Sequence, residues 1–154
     1  MKLEDKPAIA GGTPAKTVPY GAEPRYGDEE LRELREALDQ GTLFYAHGKK
    51  TSELERIFAS AHEVPHAVAA SSGTAAIHAA LLAIGISPGD EVVTSPITDM
   101  GTVIPILFQG AVPVFADVLP RTYNLDPDSV RARITDRTRA VIAVHLGGNA
   151  AELN

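Results

Sequence analysis

The sequence predicts an α/β fold, a mostly parallel sheet with flanking helices, and three observations carry that prediction. Short apolar runs occur at 66–70, 91–94, 112–116 and 140–144, and helix-like segments separate them. Each run is too apolar to alternate cleanly, as expected of strands covered on both faces. Strand and helix therefore take turns along the chain, and right-handed βαβ crossovers are the natural connection.

The elements follow in order. Residues 7–27 contain Pro7, Gly11, Gly12, Pro14, Pro19 and Pro24 among others, a density that fits an irregular arm (1–27) preceding one larger domain (28–154). Asp28 is a candidate N-cap for a helix with Glu29 and Glu30 in its first turn, Leu31, Leu34 and Leu38 on one face, and Gly41 after it. A second amphipathic run places Leu54, Ile57, Phe58 and Ala61 at helical spacing, and Pro65 prevents its continuation. The helix after the first predicted strand carries Ala75, Ala76, Ala79, Ala80 and Ala83, small side chains that suit close approach to a sheet, with Gly85 to end it. Pro105 would be costly deep in a helix, so the next helix is placed from Val103 with Thr102 as its cap. Asp126-Pro127 pairs an N-cap with proline at the first helical position, and Val130 and Ile134 supply the inner face of a short helix.

Composition narrows the function. The 154 residues are 44% apolar and 22% charged, with a net charge of -6 and no dense run of Lys or Arg, which argues against nucleic acid or an anionic membrane as a partner. The chain has no cysteine, so disulfides and thiolate metal sites are excluded. The five histidines lack the spacing that lets two imidazoles share a metal, and no apolar run is long enough to span a bilayer. A cytoplasmic location follows as the expectation.

The stretch most able to carry chemistry is Ala70-Ser71-Ser72-Gly73-Thr74-Ala75-Ala76, a strand to turn to helix step. Such a step presents unpaired N–H groups and a hydroxyl at a helix N-terminus, where a phosphate can be held. The same residues also suit a simpler role, with Ser71 or Ser72 capping a core helix. A Rossmann-type nucleotide site would need G-x-G-x-x-G, and this turn has one glycine.

A wider pattern adds to that reading. Gly11-Gly12-Thr13-Pro14, Ser72 to His78, Pro88-Gly89-Asp90-Glu91-Val92-Val93, Gly110 to Val118, Thr122-Tyr123-Asn124-Leu125-Asp126 and Val144-His145-Leu146-Gly147-Gly148-Asn149 are six blocks. In order and spacing they resemble the N-terminal portion of DegT/DnrJ/StrS sugar aminotransferases, which depend on pyridoxal 5'-phosphate (PLP). The resemblance implies part of the large domain of a type I PLP-dependent transferase fold and a homodimer with active sites at the subunit interface. It also implies transfer of an amino group from glutamate or glutamine to a keto-sugar, usually nucleotide-linked, or to a cyclitol ketone.

Carried over by position, it makes Gly73, Thr74 and Ala75 the phosphate contacts, through backbone N–H groups and the Thr74 hydroxyl. Asp99 falls where many members stack an aromatic residue on the cofactor ring, a departure from the pattern. A carboxylate has no π-face, so either a neighbour such as Met100 covers the ring or this branch holds the ring differently; Asp99 equally suits the simpler role of a turn or cap residue. The acidic partner of the pyridine nitrogen and the Schiff-base lysine correspond to positions beyond Asn154, and the five lysines, Lys2, Lys6, Lys16, Lys49 and Lys50, all precede the phosphate turn. No catalytic residue is assigned. A noncatalytic binding or assembly module derived from the family is the alternative reading.

Overall fold

The computed structural model describes residues 6–18, 21 and 25–153. The chain divides into two compact units, Met1–Ala67 and Val68–Asn154, so the first two helices fall in one unit with the arm.

In the first unit the described arm residues contain one regular piece, a 3-10 turn at Ala8–Ala10 closed by Gly11 in the left-handed region; Pro19 and Pro24 lie outside the described residues. Helix α1 (Asp28–Asp39) starts one residue earlier than an Asp28 cap would require. Gly27 is the cap residue, and the Glu30 carboxylate reaches back to accept its N–H at 2.6 Å. Gly41, at φ 74°, donates to the Leu38 carbonyl at 3.0 Å and ends the helix. Helix α2 (Lys50–Ala61) is tied to α1 by Lys50, whose Nζ lies 2.5 Å from both the Glu33 and the Glu36 carboxylates. Gln40 adds an acceptor for the Lys49 N–H at 2.6 Å. Exposed ties of this kind stabilise little. The apolar faces Leu31, Leu34 and Leu38 of α1 and Leu54, Ile57 and Phe58 of α2 stay exposed, as does Leu43.

The second unit holds the sheet. Helix α3 (Gly73–Ala83), β1 (Glu91–Thr94), α4 (Met100–Phe108), β2 (Val112–Phe115), α5 (Pro127–Arg133) and β3 (Thr138–Ile142) follow in that order. The strands are ordered β2-β1-β3 and all pair in parallel, with Val93 opposite Val114 on one side and Val141 on the other. Central β1 is buried along its length, and its alternation explains the continuous apolar run. Val92 packs with Leu81, Ile86, Ile106 and Ala111 on the α3/α4 face, while Val93 packs with Ala116 and Leu125 on the other, where Val130 of α5 adds cover.

Several expectations are corrected. Residues 66–70 form no strand: an extended run becomes one only where a neighbour completes its ladder, no described strand pairs with it, and Val68 is 84% exposed. The sheet therefore has three strands, not four. Strand β2 ends one residue early, and β3 is shifted two residues toward the N-terminus. The alanine stripe does not face the sheet. Ala76, Ala79, Ala80 and Ala83 are exposed, and the inward face of α3 is Thr74, Ile77, His78 and Leu81. Ile134 lies beyond the end of α5 and is exposed, which leaves Val130 as the inner residue.

Helix α4 begins at Met100 rather than Val103 and keeps Pro105 inside it, buried. The Asp99 carboxylate is the cap, and Thr102 instead pairs its hydroxyl with that of Thr98 at 2.8 Å. No helix of the described residues is long and apolar enough to cross a membrane.

Candidate cofactor site

The site is built where α3 and α4 begin. The chain leaves β1 through buried Ser95, whose hydroxyl accepts the Ile97 N–H and donates to the Ile97 carbonyl, each at 3.1 Å. This tight turn delivers Asp99 at the carboxyl end of the sheet, the edge at which open α/β folds bind ligands.

Ser72 caps α3, its hydroxyl accepting the Ala75 N–H at 3.1 Å, while the Ser72 carbonyl takes the Ala76 N–H at 3.0 Å. Among the described residues nothing claims the N–H groups of Gly73 and Thr74 or the Thr74 hydroxyl. A Cβ built on Gly73 would meet no atom within 4 Å, so the turn is open to an approaching group. Both simple expectations for these residues thus coexist: Ser72 caps the helix, and two N–H groups and a hydroxyl remain available beside the positive end of its dipole. The Ala75 N–H is already committed to Ser72 and could serve an anion only by sharing.

Asp99 is exposed, and its Oδ1 accepts the Gly101 N–H at 2.6 Å. The structure brings it close to the turn. A Cβ on Gly101 would lie 2.6 Å from the Thr74 hydroxyl oxygen and 2.7 Å from Asp99 Oδ1, so both oxygens border the same small gap. Sequence reasoning missed Gly101. Its signal, a glycine tolerated inside a helix at a cost of about 0.5–1 kcal/mol relative to alanine, was hidden because the helix was expected to start only at Val103, whereas it starts at Met100. Met100 is exposed next to Asp99, and no Phe, Tyr or Trp occurs between Ile77 and Leu107.

Past β3, on the same sheet edge, buried Asn124 secures the chain. Its Nδ2 donates to the carbonyls of Asn149 at 3.1 Å and Ala150 at 3.0 Å, and its Oδ1 accepts the Leu146 N–H at 3.2 Å. His145 Nδ1 accepts the Ala151 N–H at 3.0 Å, which makes that nitrogen the unprotonated one.

The donor set at the α3 turn fits the phosphate of PLP. No lysine occurs after Lys50, and Lys50 itself is held by Glu33 first and Glu36 second, which push its pKa up and keep its amine protonated.

The sequence pattern of the DegT/DnrJ/EryC1/StrS aminotransferases matches residues 24–154. The chain belongs to that family. Its relatives include the spore coat polysaccharide biosynthesis protein SpsC of Bacillus subtilis, 44% identical over 137 residues covering 89% of this chain and 34% of the relative. A putative L-glutamine:3-amino-2,3-dideoxy-scyllo-inosose aminotransferase of Streptoalloteichus tenebrarius is 38% identical over 149 residues, 96% of this chain and 36% of the relative. Among solved structures, 3-amino-5-hydroxybenzoic acid synthase superposes with a TM-score of 0.84 at 38% identity, over 89% of this chain and 36% of that one. The PLP form of a putative sugar aminotransferase from Streptococcus pneumoniae superposes with a TM-score of 0.79 at 32% identity, over 84% of this chain and 32% of that one. The chain thus spans about a third of the length of these DegT/DnrJ/EryC1/StrS proteins, and its α/β fold is part of their PLP-dependent transferase fold.

Proposed function

We propose that this chain is the PLP-phosphate-holding part of a sugar-aminating transaminase. The parent reaction moves an amino group from glutamate or glutamine to a keto-sugar, usually nucleotide-linked, or to a cyclitol ketone, in a cytoplasmic homodimer. The observation that carries the reading is the open α3 turn within a chain that belongs to the family.

Gly73 and Thr74 would donate their N–H groups to the phosphate, Thr74 its hydroxyl, and Ala75 a shared N–H. Hydrogen bonds to a charged group are worth roughly 1.5–3 kcal/mol each, and the α3 dipole adds to them. When bound, PLP acts as the electron sink of transamination. The residues of this chain orient it. Asp99, which caps α4, would fix the first turn of that helix beside the phosphate, and exposed Met100 next to it would cover the ring. No residue here is given the role of the reacting amine.

Calorimetric titration with PLP and with inorganic phosphate tests the anchor. Thr74→Val should weaken both by about tenfold, the effect of one hydrogen bond to a charged group. Unchanged binding would leave Ser72-Gly73-Thr74 as a helix cap and nothing more. Borohydride reduction followed by intact-mass analysis tests the rest: a stoichiometric PLP adduct at one lysine, with turnover of an amino donor, would overturn the absence of a catalytic residue here.

A further inference from the structure

We infer that Gly101, on α4, is a positioning residue for the phosphate anchor, because its missing Cβ keeps the Thr74 hydroxyl of α3 in place. The inference rests on the reading of the α3 turn as a phosphate site, and it concerns a residue outside that turn.

The geometry is specific. No hydrogen bond among the described residues fixes the Thr74 hydroxyl, so its orientation depends on the space around it. That space is bounded by Gly101: a methyl carbon there would stand 2.6 Å from Thr74 Oγ1, well inside van der Waals contact, but 3.8 Å from Thr74 Cβ, an ordinary distance. The clash is therefore with the hydroxyl and not with the body of the residue. A β-branched side chain has few χ1 alternatives in a helix. The hydroxyl would relieve the clash by rotating to the other χ1 well open to a helical threonine, which changes where it points relative to the N–H groups of Gly73 and Thr74. Asp99 cannot give way as freely. Its Oδ1 would meet the same methyl at 2.7 Å, yet it is held by the Gly101 N–H at 2.6 Å. Rotating Thr74 relieves only the first of these two contacts, so the Asp99 carboxylate shifts within its cap as well, and the cycle below isolates the part that runs through Thr74.

The test is a double-mutant cycle on the full chain, read by calorimetry with PLP and inorganic phosphate and by the χ1 couplings of Thr74 in NMR. Gly101→Ala should stay folded, shift the Thr74 rotamer and weaken phosphate binding about tenfold, the loss of one charge-assisted hydrogen bond. In a Thr74→Ala background the same Gly101→Ala change should cost no further affinity. A structural role alone would lower affinity equally in both backgrounds, so equal losses overturn the inference. Unchanged affinity and an unchanged rotamer in Gly101→Ala overturn it while leaving the phosphate reading intact. Absence of binding by the unaltered chain would instead sink the phosphate reading, and the rotamer shift would still report the contact. If Gly101→Ala fails to fold, the Thr74→Ala/Gly101→Ala chain should fold again, and failure there would place the clash elsewhere and refute the role assigned to Thr74.

Discussion

Removing the Asn124 side chain is the most direct probe of how the sheet edge beside the site is held. Asn124 is only 2% exposed and makes three side-chain hydrogen bonds to residues 22 to 26 positions away, all in the stretch after β3. In Asn124→Ala all three go at once. At about 1 kcal/mol net for each, the loss comes to about 3 kcal/mol if residues 145–151 stay in place with unpaired groups, and less if they peel off into water. Urea unfolding separates the two outcomes when combined with amide exchange at Leu146 and Ala151. Retained protection with a large loss of stability indicates a rigid segment, whereas fast exchange with a small loss indicates local opening.

Asn124→Asp sharpens the argument. Its carboxylate can still accept from the Leu146 N–H but turns an acceptor toward the Asn149 and Ala150 carbonyls. Burial and those carbonyls would raise the introduced carboxyl's pKa in the folded state, so the variant should be least impaired in acid and lose stability as pH rises. A loss below about 0.5 kcal/mol in Asn124→Ala, with exchange at Leu146 unchanged, would refute this account of the edge.

Two further outcomes follow from the sheet. Buried Glu91 accepts from the Thr135 hydroxyl at 2.6 Å and pairs with Arg137; Thr135 first and Arg137 after it hold its carboxyl below the usual range despite the opposing effect of burial. A depressed folded-state pKa gives stability that is present above the unfolded-state value and is lost as pH falls through the folded one. Stability in urea should thus drop through the acid range, and Glu91→Gln should flatten that slope; an identical slope would count against the assignment. Ile106, fully buried against Val92 and Leu81, should cost about 2–5 kcal/mol as Ile106→Ala, read from the urea midpoint at constant m, and a cost under about 1 kcal/mol would show that the α3/α4 face is not the core described.

What could be read beforehand depended on whether the signal was local. Helical periods placed α1 and α2, although Gly27 rather than Asp28 caps α1, and the Asp126-Pro127 start of α5 is found as expected, with Asp126 accepting the Asp128 N–H at 3.0 Å. Strand β1 was legible to the residue because its run Glu91 to Thr94 is bounded by Pro88-Gly89 before and Pro96 after. Residues 66–70 have the same apolar character, but a strand is a property of a pair. The alanines of α3 misled because helical spacing allows several inward faces, and the larger Ile77 and Leu81 took the buried one. The start of α4 turned on two possible caps, and proline chemistry favoured the wrong one. In the site, the Ser72 cap and the open turn could be anticipated from the turn itself. The approach of Gly101 to Thr74 could not, since it joins two helices through the packing of the core.

Asp99 poses the remaining physical question, because a carboxylate beside a phosphate site repels what the site is proposed to hold. As a cap it contributes about 1 kcal/mol to α4. Two like unit charges about 4 Å apart repel by about 1 kcal/mol in water but about 4 kcal/mol at an effective dielectric of 20. While the site is open to solvent, as exposed Asp99 indicates, the two effects are of similar size and the carboxylate is tolerable. Excluding water would tip the balance against it unless a cation came with the closing surface. Two N–H groups and one hydroxyl contribute about 5–9 kcal/mol together, comparable to the roughly 4–15 kcal/mol that association costs. On the proposed reading the turn would set where a phosphate sits more than how tightly it is held. Tight retention would have to come from the two thirds of the relatives' length that this chain does not span, and a positive group contributed there, close to Asp99, would turn a liability of the isolated turn into a paired contact.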